Sequence, residues 1–147
     1  PPYGHLSGRQ YVICKVEAAG VNPVDAKFLY GDKLPGFLLP LVRLFLETRV
    51  VGIDFSGVIT EAPPCSAFKE GDEVYGTMPP FVGSFAEYVR APTDFIALKP
   101  RNLSFVDASA VPLVGLTAYQ AFSDVALTTD QHVLVIGASG GTGHVAV

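Results

Sequence analysis

One segment near the C-terminus restricts the fold of this chain more than any other. Residues 133–136 form a continuous apolar run, preceded by two polar residues at 131 and 132. Gly137 follows the run directly, and Gly140 and Gly143 come after it. A continuous apolar run that ends in glycine is typical of a strand buried on both faces of a parallel sheet. The pattern predicts a strand over 131–136, then a tight turn, then a helix that contains the last residues.

The three glycines have the spacing Gly-x-x-Gly-x-x-Gly, and each has a mechanical role. Gly137 permits the turn out of the strand, Gly140 lets the backbone approach a phosphate, and Gly143 allows close packing of helix and strand. The exposed N–H groups and the helix dipole then face an anion. No Lys-Ser or Lys-Thr pair follows, which argues against a nucleoside triphosphate loop. The order of elements predicts a dinucleotide site, and a plain glycine-rich loop is the alternative.

Upstream of this segment, strand signals dominate the first two-thirds of the chain. Four runs are rich in Val, Ile, Tyr and Phe and are bounded by Gly or Pro, as strands commonly are. They cover residues 11–17, 50–60, 73–76 and 84–90. These short strands predict a small, mainly β domain with a barrel-like arrangement.

Helix signals are fewer and shorter. Pro23 stands at a favourable first helical position and Gly31 follows as a stop, which predicts one short helix between them. Ser104 and Asp107 form a weak version of the capping box ahead of an Ala-rich stretch, and a second helix is expected over 116–124. The expected architecture is a mainly β barrel domain with short helices, followed by the first strand, turn and helix of an α/β domain.

The composition excludes several classes of function. The 147 residues carry a net charge of −4 and their ten Lys and Arg are scattered, so no basic stripe is available for nucleic acid. Two cysteines are too few for a disulfide scaffold, and Cys14 lies inside a predicted strand, where a buried, unreactive thiol is expected. The N-terminus has no signal or transit pattern, which predicts a cytoplasmic protein.

The most apolar stretch covers residues 37–46 and contains Pro40 and Arg43. It is about half as long as a membrane-spanning helix, so no membrane span is expected. A buried helix is one interpretation of this stretch. A loop that lines a cleft or contacts a partner is the other.

Six blocks of the sequence form an ordered set. They are residues 16–25, 52–58, 71–76, 83–89, 112–119 and the glycine-rich turn. Together they resemble the medium-chain dehydrogenase/reductase superfamily, in particular its zinc-independent, quinone-oxidoreductase-like branch. The resemblance implies a GroES-like catalytic domain over residues 1–125, incomplete without a later segment that returns to it. It also implies the truncated start of an NAD(P)-binding Rossmann domain over residues 126–147.

The resemblance implies a set of site residues as well. Asn22 and Asp25 match positions at the cleft near the nicotinamide and are predicted to be catalytic. From the residues alone, Asn22 could instead cap the helix that follows it, and Asp25 could complement the helix dipole. Thr117 matches a position on the nicotinamide side of the cofactor, with a plain helix-surface hydroxyl as the alternative. The cofactor-binding residues predicted in the turn are Gly137, Ser139, Gly140, Gly141, Thr142 and Gly143.

The resemblance also bears on the metal and the cofactor. Zinc-dependent relatives carry a Cys at the position of Asn22 and a His-Glu pair at the positions of Ile53 and Asp54, and this chain has neither the Cys nor the His. Because Zn²⁺ needs three N, S or O ligands and an open position, no metal is expected. The expected cofactor is NADPH or NADH, since the discriminating residue lies about 20 residues beyond the turn. His144 could add a weak positive contact to the phosphates.

The function implied by the resemblance is hydride transfer from NAD(P)H to a quinone or to an activated alkene or carbonyl, without zinc. A small-molecule substrate is the expected partner, with a homodimer for the complete protein. The alternative is a truncated fragment or interaction module that binds no cofactor, because a single strand of a parallel sheet has an exposed apolar edge. The isolated 147-residue chain is expected to be inactive.

Overall fold

A computed structural model of the chain describes residues 9–30, 50–79, 82–125 and 127–147. The apolar stretch 37–46, and with it the choice between a buried helix and a loop, lies outside the described residues, as does Gly31. Within the described part of the chain, no helix is long and apolar enough to cross a membrane.

The centre of the structure is a five-stranded antiparallel sheet. Its strands are β1 (Tyr11–Gly20), β2 (Asp54–Glu61), β3 (Glu73–Thr77), β4 (Tyr88–Pro92) and β5 (Ile96–Leu98). They pair in the order β4-β1-β2-β3-β5. The four predicted strands are confirmed, with ends that differ by up to four residues. The short β5 was not predicted, because three residues are too few to produce a periodic signal.

The core lies on one side of this sheet and consists mostly of alternate strand residues. Its buried members are Val12, Cys14, Phe55, Ile59, Val74, Met78, Val89 and Ala91. Alternation arises because successive side chains of a strand point to opposite faces. The prediction that Cys14 is buried is confirmed, and burial raises the pKa of its thiol to about 12, which keeps the thiol protonated and unreactive.

In the described part of the chain, four α-helices accompany the sheet, with one short 3-10 helix at Thr93–Phe95. The α-helices are α1 (Pro23–Tyr30), α2 (Phe105–Ser109), α3 (Pro112–Asp124) and α4 (Gly141–Ala146). The predicted cap of α2 is confirmed, because the Ser104 hydroxyl accepts the Asp107 backbone N–H at 3.1 Å. The helix expected over 116–124 begins earlier than predicted, at Pro112, since proline is favoured in the first turn, where its missing N–H costs nothing.

One predicted element is wrong in its detail. The turn and the C-terminal helix are present, but residues 131–135 form neither helix nor strand. A strand needs a neighbour to satisfy its backbone N–H and C=O groups, and no described residues pair with this segment. The fold class is confirmed: a mainly β domain with short helices, followed by a glycine-rich turn and a helix.

Candidate functional site

A cleft of about 760 Å³ is the principal candidate for a functional site. The end of β1, the start of α1, the start of β2 and the first turns of α3 form most of its wall, and α4 completes it. The polar or charged side chains on this wall are Asn22, Lys27, Asp54, Thr117, Thr142 and His144. The cleft therefore brings together a predicted catalytic residue, Asn22, and three predicted cofactor residues, Thr117, Gly141 and Thr142.

Asn22 lies immediately before α1 and is half-buried. Its side-chain Nδ2 donates to Asp54 Oδ2 at 3.0 Å, across 32 positions of sequence. Its backbone N–H donates to Asp25 Oδ2 at 2.7 Å. The carboxylate of Asp25 thus makes the reciprocal half of a capping box, while the amide of Asn22 contacts the sheet.

Asp25 lies behind Asn22 and does not line the cleft. Its side chain is buried in the first turn of α1, where a carboxylate complements the helix dipole. One of its oxygens, Oδ1, has no hydrogen-bond partner among the described residues. Of the two predicted catalytic residues, only Asn22 lines this cleft.

Asp54 is a site residue that the sequence analysis did not select. It is the first residue of β2 and only 1% exposed. Its Oδ2 accepts from Asn22, and its Oδ1 accepts the backbone N–H of Leu113, in the first turn of α3, at 3.1 Å. An acidic residue inside the apolar block 52–58 was the available signal. Such a residue must find partners when a strand is buried.

Burial raises the pKa of Asp54 from its ordinary value of 3.8 to about 6. The hydrogen bonds from Asn22 and Leu113 oppose this rise, the nearby negative charge of Asp25 adds to it, and a hydrogen bond from Thr77 opposes it. None of the ion pairs between described residues includes Asp54. Asp54 is therefore a buried acid that can change protonation state near neutral pH.

Thr117 lies on the cleft wall, one turn after Leu113 on α3. Its hydroxyl donates to the Leu113 carbonyl at 2.7 Å. A hydroxyl oxygen that donates in this way keeps its capacity to accept a further hydrogen bond. Thr117 is thus a helix-surface hydroxyl that borders the cleft, and its contact with the nicotinamide stays a prediction.

The glycine-rich turn has the backbone that the sequence predicts. Gly137 has φ of +86°, a conformation that glycine adopts without strain. A Cβ on Gly143 would lie 2.2 Å from the Gly137 carbonyl oxygen, so a side chain is excluded there. The close approach of Gly143 is to Gly137, the residue that ends the apolar run, and its role in packing a helix against a strand stays a prediction.

The surroundings of the turn provide a test of whether a dinucleotide phosphate fits. A Cβ on Gly140 would meet only the Gly137 oxygen, at 3.4 Å, so the backbone there is open to a ligand. A second cavity of about 380 Å³ lies against this backbone, and Thr142 borders both cavities. Ser139 lines neither of them. The turn and Thr142 leave room for a phosphate beside them, while Ser139 is exposed outside both cavities.

The positions that match zinc ligands have a different chemistry here. The side chain of Ile53 has no atom that can bind a metal, and it is buried. The amide of Asn22 is hydrogen-bonded to Asp54. Among the described residues, no group of three or more His, Cys, Asp or Glu is arranged to hold a metal ion.

Comparison with protein families gives a match that covers all five strands of the sheet. Residues 8–101 match the model of the alcohol dehydrogenase GroES-like domain, which is more than half of the 147 residues. Two similar curated proteins are plant enzymes. A 2-methylene-furan-3-one reductase of Solanum lycopersicum is 37% identical over 92% of this chain and 35% of its own length. An NADPH-dependent alkenal/one oxidoreductase, chloroplastic, of Arabidopsis thaliana is 34% identical over 92% and 36%.

A similar solved structure has the same fold. It is the quinone oxidoreductase of Coxiella burnetii, with a TM-score of 0.72 and 34% identity over 92% of this chain and 43% of that one. The chain therefore spans roughly two-fifths or less of the length of the proteins it matches.

Proposed function

Because the chain belongs to the alcohol dehydrogenase GroES-like family, within the medium-chain dehydrogenase/reductase superfamily, we propose that its protein transfers hydride from NAD(P)H to a small molecule. The proposed acceptor is a quinone or an activated alkene or carbonyl. Reductases and oxidoreductases of these substrate classes are among the relatives of the chain. NADPH is the favoured cofactor, since one of these relatives is described as NADPH-dependent.

The observation that carries the proposal is the composition of the 760 Å³ cleft. Asn22 and Asp54 reach its wall from the sheet side, and Thr117 and Thr142 reach it from α3 and α4. A reductase needs this combination, because the acceptor and the cofactor must be held against each other for hydride transfer.

The proposed division of labour follows from the donors and acceptors on the wall. The nicotinamide, when bound, supplies the hydride chemistry. Asn22 orients the acceptor oxygen with its remaining amide atoms, and the hydroxyl of Thr117 accepts a hydrogen bond on the nicotinamide side. The open space beside Gly140 receives the phosphates, with the Thr142 hydroxyl as a donor. Lys27 on the same wall provides positive charge for an anionic ligand, and His144 offers a ring nitrogen for a hydrogen bond.

We also propose that this reaction proceeds without zinc. The support is the donor set, since Ile53 cannot bind a metal and the Asn22 amide is a poor replacement for a thiolate. Hydrogen bonds and positioning then polarise the acceptor. Incubation with Zn²⁺ or a chelator is expected to leave the rate unchanged; a rate that falls with chelation and returns with Zn²⁺ would contradict this part of the proposal.

Cofactor oxidation is the direct test of the function. The full-length protein is mixed with NADPH or NADH, and absorbance at the nicotinamide band is followed after a quinone, an enone or a simple ketone is added. Oxidation with a quinone or an enone is the expected result. A folded protein that quenches no NAD(P)H fluorescence and oxidises neither cofactor would overturn the proposal.

The chain of 147 residues by itself is proposed to bind NADPH weakly or not at all. In support, residues 131–135 make no strand, and Leu134 and Ile136 beside the glycine-rich turn are 84% and 90% exposed. A turn without an anchored strand does not hold its N–H groups in place for a phosphate. Calorimetric titration with NADPH tests this, and micromolar affinity for the 147-residue chain would contradict it.

A further inference from the structure

Asp54 is the point where three elements of the cleft meet. It begins β2, it accepts a hydrogen bond from Asn22 before α1, and it accepts another from Leu113 in the first turn of α3. The Asn22 contact is 3.0 Å and the Leu113 contact is 3.1 Å. Because Asp54 as a residue is only 1% exposed, water cannot replace these contacts without a local opening.

The two protonation states of Asp54 require different arrangements of the Asn22 amide. An ionised carboxylate can only accept, so the NH₂ group of Asn22 must face it. A protonated carboxyl can donate from Oδ2 to the amide oxygen while its Oδ1 still accepts from Leu113. The second arrangement follows from the first by a half-turn of the Asn22 amide, which exchanges its oxygen and nitrogen.

We propose that Asp54 is a positioning residue that sets which atoms of the Asn22 amide point into the cleft. With Asp54 ionised, the cleft side of Asn22 offers its oxygen and one N–H. With Asp54 protonated by a proton from solvent, the cleft side offers the NH₂ group, a donor for a carbonyl or quinone oxygen. The effect of the Asn22 amide orientation on catalysis rests on the function proposed above, whereas the rearrangement of the amide does not.

The surroundings of Asp54 support two accessible states. Burial is the main cause that raises its pKa to about 6, within the range where enzymes work. The groups that face it are few: the amide of Asn22 just before α1, the carboxylate of Asp25 in α1, the hydroxyl of Thr77 in β3 and the N–H of Leu113 in α3. Lys27 and His144 line the same cleft. Asp25 is the only titratable group that acts directly on Asp54 among the described residues, and its negative charge favours the protonated state.

The variant Asp54→Asn imitates the protonated state. A side-chain amide at position 54 can donate to the Asn22 oxygen and accept from Leu113 at every pH. The matched control is Asp25→Asn, which neutralises the other buried carboxyl and leaves Asp54 in place. If Asp54 controls the orientation of the Asn22 amide, only Asp54→Asn removes the pH dependence of that orientation.

Nuclear magnetic resonance of the Asn22 side-chain amide tests the rearrangement without turnover. In the wild-type protein, the Asn22 NH₂ signals and the Asp54 carboxyl carbon are expected to shift with one common midpoint near pH 6. The Asn22 shift disappears in Asp54→Asn and persists in Asp25→Asn with a lower midpoint. Asn22 signals that stay constant between pH 4.5 and 8, or that titrate apart from Asp54, would overturn the proposal even if Asp54→Asn fails to fold.

Kinetics test the consequence for the reaction. The kcat for a quinone or enone is expected to fall about 10-fold or more as pH rises through 6, since one lost donor to a developing oxyanion costs a factor of about 100 or more. In Asp54→Asn the kcat is expected to lose its dependence on pH between 4.5 and 8. An active enzyme with a flat wild-type profile would refute the positioning role. A protein that oxidises no NAD(P)H would refute the proposed function and leave the magnetic resonance result to decide the inference.

Discussion

Asn22, just before α1, and Asp54, the first residue of β2, are hydrogen-bonded to each other on the cleft wall. The amide of Asn22 donates a hydrogen bond to the carboxylate of Asp54, and this bond replaces one that the amide would make with water. Asp54 remains costly for the fold, because no cation compensates its charge among the described residues. Retaining a buried carboxyl at a cleft is common where a site uses its titration.

The free energy of unfolding is expected to depend on pH through Asp54. Its pKa is about 6 in the folded protein and 3.8 in the absence of burial, so the folded state binds the proton more tightly than the unfolded state. Stability contributed by this group therefore falls as pH rises from about 4 to about 6 and is constant above. At about 1.4 kcal/mol per pKa unit, the loss is about 3 kcal/mol.

Urea denaturation of the wild type and of Asp54→Asn between pH 4 and 8 measures this dependence. The difference in unfolding free energy, wild type minus variant, is expected to decrease through this range by the stated amount. A difference that stays constant, or that increases with pH, would show that Asp54 is not the responsible group.

Replacement of Asn22 by Ala is expected to reduce turnover more than it reduces stability. The variant loses the amide that faces the cleft and the partner of Asp54, and loss of one donor to a reacting oxygen commonly costs a factor of about 100 to 1,000 in kcat. The matched control is Asn102→Ala, at an exposed turn position away from the cleft. Steady-state kinetics with the full-length protein measure both. If the two variants reduce kcat to the same extent, Asn22 is not a residue of the functional site.

At the scale of elements, short contacts at helix starts determine the geometry of the cleft. The first turns of α1 and α3 are joined to β2 through Asp54, while α4 begins directly at the glycine-rich turn. In the turn, Gly140 donates its N–H to the Gly137 carbonyl at 3.0 Å, and the His144 N–H bonds to Gly140 at 2.7 Å. Small backbone changes in this turn therefore move the start of α4 and the cleft wall with it.

A methyl group on Gly143 is expected to open the turn. Its Cβ would lie 2.2 Å from the Gly137 oxygen and 2.9 Å from the Ala138 Cα, so backbone must shift. Gly140→Ala is the matched control, because its φ of −81° suits alanine and its Cβ would find a nearest neighbour at 3.4 Å. Amide shifts in a two-dimensional spectrum are expected to change across residues 137–146 in Gly143→Ala and only locally in Gly140→Ala. Spectra that change to the same extent in both would contradict the close approach seen at Gly143.

At the scale of the whole molecule, the sheet and the segment 131–135 differ in burial and in backbone pairing. The sheet has a buried core and continuous ladders from β4 through β5. The segment 131–135 has no ladder, and its apolar side chains are largely exposed, with Leu134 at 84%. Regions with few buried contacts open at low free energy, whereas strands in a core open only with the fold.

Hydrogen exchange followed by mass spectrometry is expected to separate these two regions in the 147-residue chain. Peptides over residues 131–136 exchange at rates close to those of an unfolded chain, and peptides over 54–61 are protected by orders of magnitude. Protection of 131–136 at the level of the sheet would contradict the absence of a ladder there. Protection that arises only on addition of NADPH would contradict the proposal that the chain alone binds no cofactor.

The sequence by itself determined the mainly β architecture, four of the five strands, the starts of α1 and α2 and the glycine backbone of the turn. These features depend on near neighbours in the chain: alternating side chains, a proline at a helix start, Ser104 three residues before Asp107, and glycines three residues apart. Local pattern is enough for them because the interactions that stabilise them connect residues a few positions apart.

The tertiary structure alone decided which residues meet at the cleft. Asp54 contacts Asn22, which is 32 positions away in sequence, and Leu113, which is 59 positions away. No local sequence pattern predicts either contact. The tertiary structure also leaves residues 131–135 without a strand partner, although their apolar run is typical of a strand. The physical reason is the same in both cases: burial and backbone pairing are satisfied by partners distant in sequence, so a residue's environment is set only when those partners are in place.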